Sequence, residues 1–368
     1  MRNPTKIRVN TIPTTIPICN PFILILLRYN HTMATIKLSK KNFYHNLNQI
    51  TLQTGSVEKI AIVLKDNAYG HGLVEMARLA CEYGITKAVV GTTQEAEAIS
   101  AFFTEVVVLG DTPKVEGGFT YVLNALEAIA SVPLGVKVEL KVDTGMHRNG
   151  IELHQLEEAL FRIQERGLLL QGVMTHYRSA DVLSSEFFWQ QKRFEVVKQR
   201  VKEAGVEGVR FHSHNSASIL RTHHFSEDFV RVGIGAYGYS ELPPLFDVVK
   251  LKPVLSLWAK RMATRHLKKG QRVGYGGDFI APKDMVVSTY DVGYGDGLMR
   301  GLFEGKFLTP SGHQLLGRIS MDFVTFEGEE EEVCLFENAQ EVAEVLGTIS
   351  YEVLTQLHPS VKREVVEE

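Results

Sequence analysis

The sequence has 368 residues, which is long enough for two domains and a large core. Its 40 basic and 43 acidic residues nearly balance, so the charge indicates neither a nucleic-acid partner nor a membrane surface. The 13 histidines form no zinc pattern such as HExxH, which argues against a metal enzyme. Three scattered cysteines are predicted to be free thiols in a reducing cytoplasm: Cys19, Cys81 and Cys334.

The first 32 residues differ from the rest of the chain. The apolar run at 22–27, FILILL, is too short to span a bilayer. Basic residues precede it, as in a signal peptide, but prolines interrupt the segment and no small-x-small cleavage site follows. Met33 then opens a segment that resembles a natural start, so 1–32 is predicted to be a disordered leader or a start-codon overcall.

Between residues 59 and 239, apolar strand-like runs alternate with amphipathic helical patterns. The candidate strands are 60–65, 87–91, 106–110, 120–123, 136–142, 169–175, 209–212 and 230–235. Helical patterns occupy 75–83, 94–103, 155–166 and 187–203. This alternation predicts an α/β fold, a (β/α)8 barrel of the TIM type.

From about residue 251 the pattern changes to short alternating segments separated by glycine- and proline-containing turns. These segments, 254–261, 272–274, 285–292, 314–319 and 323–326, predict a smaller, mainly antiparallel β domain. The acidic run 329–332 is predicted to be a solvated loop, 339–357 a helical segment and 362–368 a frayed tail. The predicted organisation is a leader at 1–32, a barrel at 33–248 and a β domain at 249–368.

The stretch at 60–72, IAIVLKDNAYGHG, combines an apolar strand with a lysine at its carboxyl end. Read at a period of two, Lys65 shares a strand face with Ala61 and Val63. Chemistry in α/β folds lies at this end of the strands, although most lysines that end a strand are simply solvated. Here Gly70 and Gly72 let the backbone approach an anionic ligand closely, which favours a functional lysine.

This stretch closely resembles the cofactor-lysine motif of the alanine racemases, whose usual form has alanine where this chain has Asp66. The resemblance implies that Lys65 carries pyridoxal 5'-phosphate (PLP) as a Schiff base and that Tyr69 binds its phosphate. It also implies that the strand at 34–38 pairs with the β domain. Further blocks resemble the family in the same order, over about 33–357: KVDTGMHRNG, MTHYRSAD, FHSHNSAS, FVRVGIGAYG, VGYGG, VGYGDG, GRISMD and GTISYEVL. Arg178 departs from the commonest family sequences, and Ser320 stands where cysteine is common.

The strand at 136–142 alternates apolar residues with a charged row: Lys137, Glu139, Lys141 and Asp143. Because one face of a barrel strand points into the lumen, the charged row is predicted to line the interior. A paired ion network and a functional role both explain such a row. In the resembling family, the lysine that matches Lys141 is often carbamylated and orients the arginine that matches Arg148, a candidate for binding the substrate carboxylate.

Three later blocks carry candidate cofactor ligands. Taken alone, His176 is explained by an ordinary core position. Asn215 and Ser216 are explained by the N-cap of a helix. The amino terminus of a helix after strand seven is, however, also a usual phosphate site in barrels. The resemblance implies that His176 stacks on the cofactor ring and that Arg231 faces the pyridine nitrogen. Because arginine keeps its proton, the pyridine nitrogen that it faces would stay unprotonated. A cofactor ring in that state favours return of a proton to Cα over transamination. The implied phosphate ligands are Asn215, Ser216, the backbone of Gly233 and Ile234, and Tyr351.

Racemisation needs one base on each face of the planar carbanion. The resemblance implies that these bases are Lys65, freed when substrate binds, and Tyr275. In the family this tyrosine comes from the partner subunit, so we expect a homodimer with shared sites. Tyr294 and Met321 are expected to approach the neighbour's site.

The sequence therefore predicts a cytoplasmic PLP-dependent racemase that interconverts L- and D-alanine and supplies D-alanine for cell-wall peptidoglycan. A serine or broad-specificity amino-acid racemase of the same fold is the alternative, because the residues lining the methyl pocket are not identified. A decarboxylase of this architecture is disfavoured, since those enzymes usually carry a second-domain cysteine and an acid at the pyridine nitrogen, whereas GRISMD and VRVGIG offer neither. A non-enzymatic PLP-binding protein is typically a lone barrel.

Overall fold

The computed structural model describes residues 34–114, 117–222, 225–246, 249–303 and 307–368. The predictions for the leader at 1–32 and for Cys19 lie outside these residues. Within them, none of the helices combines the length and the apolar character needed to cross a membrane.

The described chain begins with strand β1 (Thr35–Ser39) and helix α1 (Lys40–Thr54). The Ser39 hydroxyl caps the helix by accepting from the Asn42 amide at 3.1 Å, and Gly55 ends it in the left-handed conformation with φ 77°. Phe43, Leu47 and Ile50 recur at helical spacing and are fully buried. This apolar stripe fixes α1 to the core next to the barrel.

Eight parallel strands form the barrel. They are β2 (Ile60–Val63), β3 (Lys87–Val90), β4 (Glu105–Val108), β5 (Thr120–Leu123), β6 (Lys137–Asp143), β8 (Leu169–Met174), β9 (Arg210–His212) and β10 (Val230–Val232), with the short β7 (Ile151–Glu152) added beside β6. The hydrogen-bonded order runs from β10 through β2 to β9. Backbone bonds from Asp228 to Phe211 (3.2 Å) and from Arg231 to His214 (3.0 Å) link β9 to β10. The predicted fold class is confirmed.

Helices cover the outside of the barrel. They are α2 (Leu73–Tyr83), α3 (Thr93–Ile99), α4 (Leu156–Glu165), α5 (Glu186–Glu203) and α6 (Ser216–Arg221). Each buries an apolar stripe at helical spacing, as Leu156, Ala159, Leu160 and Ile163 do in α4. The described residues between β4 and β5 contain no helix, and Glu127–Ser131 between β5 and β6 is a 3-10 helix.

The second sheet contains strands from both ends of the described chain. Its later strands are β11 (Leu255–Leu267), β14 (Met285–Tyr290), β15 (Val324–Glu327), β16 (Glu332–Phe336) and β17 (Lys362–Val366), while β12 (Arg272–Val273) and β13 (Phe279–Ile280) form a separate pair. Strand β1 lies between β11, with which it is antiparallel, and β17, with which it is parallel. The pairing expected for the strand at 34–38 is therefore present.

Two predictions for this domain are wrong. The segment 314–319 is not a strand, because Gln314 forms only an isolated bridge with Leu308 and Gly317 turns the chain with φ 81°. The tail is not frayed, because its residues pair along β1 as β17. The helical segment predicted at 339–357 is present as two helices, α7 (Ala339–Leu346) and α8 (Ser350–Thr355), since Gly347 ends the first with φ 67°. Residues 329–331 of the predicted acidic loop are exposed, whereas Glu332 begins β16.

Candidate active site

A left-handed turn follows strand β2. Asp66, Asn67, Ala68 and Tyr69 have φ values of 55°, 54°, 52° and 54°, a conformation that is uncommon for any residue except glycine. The Asn67 side chain accepts from the Leu73 amide at 2.9 Å, and the Asn67 carbonyl accepts from Gly72 at 2.9 Å. These bonds hold the turn, so that Lys65 lies at the carboxyl end of β2 and Tyr69 lies in the barrel mouth.

Tyr69 forms one wall of a narrow polar cradle. A Cβ atom added to Gly233 would lie only 2.4 Å from the Tyr69 hydroxyl, so the absence of a side chain at Gly233 lets the phenol lie against the backbone. The Ser216 hydroxyl accepts from the amides of Gly233 and Gly235, both at 3.1 Å. The Tyr351 ring lies 5.8 Å from the Tyr69 ring, and burial raises the pKa of both phenols, which therefore remain hydrogen-bond donors. Such a set of neutral donors suits a phosphate group.

Two further predicted phosphate ligands lie beside this cradle. The Asn215 side chain accepts from the Ser218 amide at 2.9 Å, and the Ser218 hydroxyl accepts from the Asn215 amide at 2.8 Å. Asn215 is thus the N-cap of α6. Ile234 is buried between the two glycines. The contribution of Asn215 and Ile234 to phosphate binding stays a prediction.

Arg231 on β10 is buried, and its guanidinium is held by several acceptors. It donates to Nδ1 of His212 at 2.6 Å, to the Thr175 carbonyl at 2.8 Å and to the Ser213 carbonyl at 3.1 Å. Burial lowers the pKa of Arg231, while Glu227 and Glu139 oppose this shift. An arginine keeps its proton at neutral pH even so, and these contacts fix the plane of a permanent cation.

The predicted interior row of β6 contains a paired network. Glu139 accepts from Arg210 at 3.0 Å through Oε1 and contacts Nε2 of His212 at 2.9 Å through Oε2. Because Nδ1 of His212 accepts from Arg231, its Nε2 carries the hydrogen that Glu139 accepts. Burial favours the neutral form of Glu139, yet His212 and Arg210 hold its pKa below the ordinary value. The network thus holds His212 against Arg231, which agrees with the explanation of the charged row as a paired ion network.

Lys141 lies further along the same face, towards the barrel mouth. Burial lowers its pKa to about 8, and the charges of Arg231 and Arg148 add to the effect while Asp143 opposes it. At neutral pH a small fraction of this amine is therefore uncharged, which is the form that can react with an electrophile.

His176 follows β8 and is surrounded by cations. Burial lowers its pKa to about 3, and four positive charges contribute in the same direction: Arg231, Lys141, Arg148 and Lys65. The imidazole is therefore neutral, and the electrostatic influence of these residues shows that they surround one point in the barrel mouth.

The loop that carries Arg148 is fixed on both sides. Asp143 accepts from the amides of Gly145 at 2.7 Å and Met146 at 2.9 Å. Arg178 donates to the Gly145 carbonyl at 2.6 Å and is paired with Glu186 on α5. The sequence singled out Arg178 as a departure without assigning it a role, and the structure shows that it holds this loop.

The remaining predicted site residues lie on the second domain. The Tyr275 side chain is 69 % exposed, Met321 is 55 % exposed and Tyr294 is 44 % exposed. Backbone bonds from Gly295 to Met321 (2.8 Å) and from Tyr294 to Ser320 (3.1 Å) join two of their loops. These three side chains point to solvent instead of packing into the buried cluster of their own barrel.

Sequence reasoning missed several buried groups behind the site. His212 contacts Arg231, and Glu227 accepts from the Ser213 hydroxyl at 2.6 Å and contacts His214 at 3.1 Å. The alternation of FHSH after an apolar segment could have indicated that His212 and His214 share the interior face. The pairing of Lys65 with Asp66 at 2.9 Å was also not predicted.

The chain is an enzyme of the amino-acid racemase class, since its parallel barrel and antiparallel sheet domain match those of solved racemases. Two family models match the chain: "Alanine racemase, N-terminal domain" over residues 38–241 and "Alanine racemase, C-terminal domain" over 254–365. The chain belongs to the alanine racemase family.

Curated relatives and solved structures agree with this membership. An alanine racemase of a Nitratiruptor species is 46 % identical over 338 residues, which cover 90 % of this chain and 99 % of the relative. An alanine racemase of Campylobacter curvus is 40 % identical over 91 % of this chain and 100 % of the relative. The alanine racemase of Bacillus anthracis with bound L-Ala-P has a TM-score of 0.82 and 29 % identity over 91 % of this chain and 95 % of that chain. A histidine racemase of Leuconostoc mesenteroides also has a TM-score of 0.82, with 27 % identity over 92 % of this chain and 99 % of that chain.

Proposed function

We propose that this enzyme is a PLP-dependent racemase that interconverts L- and D-alanine. The observation that carries the proposal is the cradle formed by Tyr69, Ser216, Gly233 and Tyr351 beside the strand-end lysine Lys65. The relatives named alanine racemase at 40–46 % identity support the choice of substrate.

The residues present fit the cofactor. Tyr69, Tyr351 and the hydroxyl hydrogen of Ser216 would hold its phosphate, together with Asn215 and the Gly233–Ile234 segment. Lys65 would attach it covalently, and the neutral His176 would stack on its ring without adding charge. The bound cofactor supplies an electron-withdrawing ring that stabilises negative charge at the substrate Cα.

Arg231 would face the ring nitrogen. Its guanidinium keeps its proton and is fixed by His212 and two backbone carbonyls, so it donates a hydrogen bond without transferring the proton. Such a permanent donor would leave the ring nitrogen of a bound cofactor unprotonated, a state that limits electron withdrawal and favours return of a proton to Cα.

Two bases on opposite faces of Cα would move the proton. Lys65 would serve one face, a role supported by its position after β2 at the barrel mouth near His176. Tyr275 is the candidate for the other face, and Arg148 would bind the substrate carboxylate. Each group would take the proton from one enantiomer and return it to form the other.

We propose that each site is completed by a second copy of the chain in a homodimer. Tyr275, Tyr294 and Met321 are exposed in the single chain, although an aromatic or thioether side chain gains free energy by burial. Docking this surface over the partner's barrel mouth would bury all three and place Tyr275 opposite Lys65.

Lys141 would stabilise Arg148 as a carbamate. Its lowered pKa of about 8 provides neutral amine, whose nitrogen would bond to the carbon of carbon dioxide while one N–H proton is released to solvent. The resulting carbamate would be an anion between Arg148 and Arg231. The change of sign would replace repulsion by attraction, and so would hold Arg148 ready for a carboxylate.

The second candidate is a racemase for serine or for several amino acids. The histidine racemase with a TM-score of 0.82 supports this candidate, since a protein of the same fold is named for an amino acid with a larger side chain. For the alanine enzyme we further propose that its product supplies the D-alanine of cell-wall peptidoglycan.

The shared site can be tested by mixing two inactive chains. Lys65→Ala and Tyr275→Phe should each abolish racemisation, and unfolding and refolding them together should restore about a quarter of the wild-type activity, because half of randomly formed dimers carry one intact site of two. In the control, the Lys65→Ala chain is mixed with a Lys65→Ala/Tyr275→Phe double variant. No intact site can form there, because neither chain carries Lys65. Confirmed mixed dimers without activity would contradict the proposal.

Substrate choice can be tested by chiral analysis of the products. The enzyme with added PLP should convert L-alanine into an equal mixture of enantiomers. Equal rates with L-serine would favour the broad-specificity alternative, and loss of optical purity by serine alone would contradict the alanine assignment.

A further inference from the structure

An acidic side chain directly follows Lys65. Oδ2 of Asp66 lies 2.9 Å from Nζ of Lys65, so the two form a hydrogen-bonded ion pair at the barrel mouth. We propose that Asp66 is a positioning residue for Lys65, whose carboxylate engages the ε-amino group by a hydrogen bond and thereby slows its reaction with electrophiles. The proposal rests on the proposed function in one respect, namely that Lys65 is the group that binds the cofactor.

The backbone of Asp66 is fixed independently of this ion pair. Its φ of 55° and ψ of 51° lie in the left-handed region, which aspartate and asparagine accept more readily than alanine. Its amide donates to Oε1 of Glu95 at 2.7 Å, while Oε2 of Glu95 accepts from Gly91 at 2.9 Å and Thr92 at 3.1 Å. With the main chain held in this way, side-chain rotation alone directs the carboxylate towards Lys65.

Most of the charged side chains around the Lys65–Asp66 pair are positive. The barrel mouth contains four cations that add to the effect of burial in lowering the pKa of His176: Arg231, Lys141, Arg148 and Lys65. An adjacent carboxylate offsets part of this concentration of positive charge. Asp143 opposes the cations at Lys141, and Asp66 contacts Lys65. Tyr69, the other titratable group of the turn, keeps its proton because it is buried.

This arrangement affects the chemistry of Lys65 because an ε-amino group that is bound to a carboxylate must leave it before the nitrogen can attack. A paired amine therefore reacts more slowly with any electrophile, including an aldehyde. The pair is partly exposed, with side chains that are 40 % and 62 % accessible. Removing the carboxylate should therefore accelerate the reaction of Lys65 at neutral pH by about two- to fivefold, the range expected for a solvent-exposed ion pair.

The proposal can be tested on the full chain by competitive acetylation with trace acetic anhydride before any PLP is added. Asp66→Asn removes the charge and keeps both the side-chain shape and the tolerance for a left-handed backbone. Peptide mass spectrometry should show that Lys65 is acetylated about two- to fivefold faster than in the wild type at pH 7. Asp66→Gly, which also accepts this backbone, should give the same acceleration.

A second lysine–aspartate pair provides a matched control. Lys268 and Asp284 lie 2.8 Å apart on the second domain, with 78 % and 62 % accessible side chains. Asp66→Asn should leave acetylation of Lys268 unchanged, and Asp284→Asn should change Lys268 while leaving Lys65 unchanged. Wild-type acetylation rates at Lys65 in both folded Asp66 variants would overturn the proposal.

The same variants separate this proposal from the function on which it rests. Acetylation needs no cofactor, so it reports the pairing even in a chain that never binds PLP. If PLP added to the wild type gives no visible absorbance and no borohydride-stable adduct at Lys65, the proposed function fails. If PLP binds, the absorbance should develop faster in Asp66→Asn by the factor measured for acetylation, and an unchanged rate would count against the role of Asp66.

Discussion

Replacing Glu139 by glutamine should damage the support of Arg231 without changing the size of any side chain. Both carboxylate oxygens accept hydrogen bonds, one from Arg210 at 3.0 Å and one from His212 at 2.9 Å, in a fully buried position. Glutamine has a single carbonyl oxygen, so in either orientation its amide hydrogens face one of these donors. A change of tautomer at His212 gives no relief, because Nδ1 would then carry a hydrogen towards Arg231, 2.6 Å away.

The size of this effect follows from the loss of one partner in a buried charged network, which costs about 3 kcal/mol. With an unfolding entropy of about 2.1 cal/mol/K per residue over 368 residues, this free energy corresponds to a Tm lower by about 4 °C. The assay is thermal unfolding of the PLP-free protein followed by circular dichroism. Racemase activity should fall as well, because Arg231 loses its fixed orientation.

A surface pair gives the control for this measurement. Glu157 is bound to Arg200 through both oxygens, with Nε of Arg200 at 2.7 Å, but it is more than half exposed. Glu157→Gln should cost at most about 1 kcal/mol and lower Tm by about 1 °C. If Glu139→Gln melts no lower than Glu157→Gln, the buried network does not stabilise the barrel in the way described.

Three further perturbations test other parts of the site. Gly233→Ala puts a Cβ 2.4 Å from the Tyr69 hydroxyl, so an absorbance titration should show about tenfold weaker PLP binding, and unchanged binding would exclude the cradle. Arg178→Ala removes the bond to Gly145, so KM for alanine should rise about fivefold with little change in kcat, while a fall in kcat alone would argue against a loop-holding role. Burial raises the pKa of Asp296 to about 6, and the stability that this raised pKa contributes is present below pH 4 and lost as the pH rises through 6. Asp296→Asn should therefore melt above the wild type at pH 8 and close to it at pH 4, and the opposite order would refute the assignment.

The sequence predicts the barrel well because its strands are apolar runs that end in recognisable motifs. The strand at 120–123 has the predicted bounds, and Lys65, Tyr69, His176 and Arg231 all lie at or near the barrel mouth. The strand β17 could not be predicted from its charged residues, since it forms only because β1 offers an unpaired edge. Edge pairing depends on a distant part of the chain and leaves no local signal.

In the site, too, local motifs predict which residues are present, whereas their geometry depends on distant parts of the chain. A motif identifies Lys65 and Tyr69, but the left-handed backbone between them arises from bonds to Leu73 and Glu95 that the motif does not contain. The contact of Glu139 with His212 joins strands that are 73 residues apart in sequence. Tyr275 stays exposed in a single chain, so its predicted part in catalysis depends on a second copy.

The position of β1 has a consequence for the order in which the protein is built. β1 emerges early during synthesis, yet both of its neighbours in the sheet, β11 and β17, come from the last third of the chain. The barrel can assemble while β1, a strand of the second sheet, still has both edges unpaired, and that sheet is completed only when β17 has been synthesised. Arg363 on β17 donates to the Gly70 carbonyl at 2.9 Å, so the pairing of β17 also secures the turn that follows Lys65. A nascent chain would thus hold this turn in place only after β17 has joined β1.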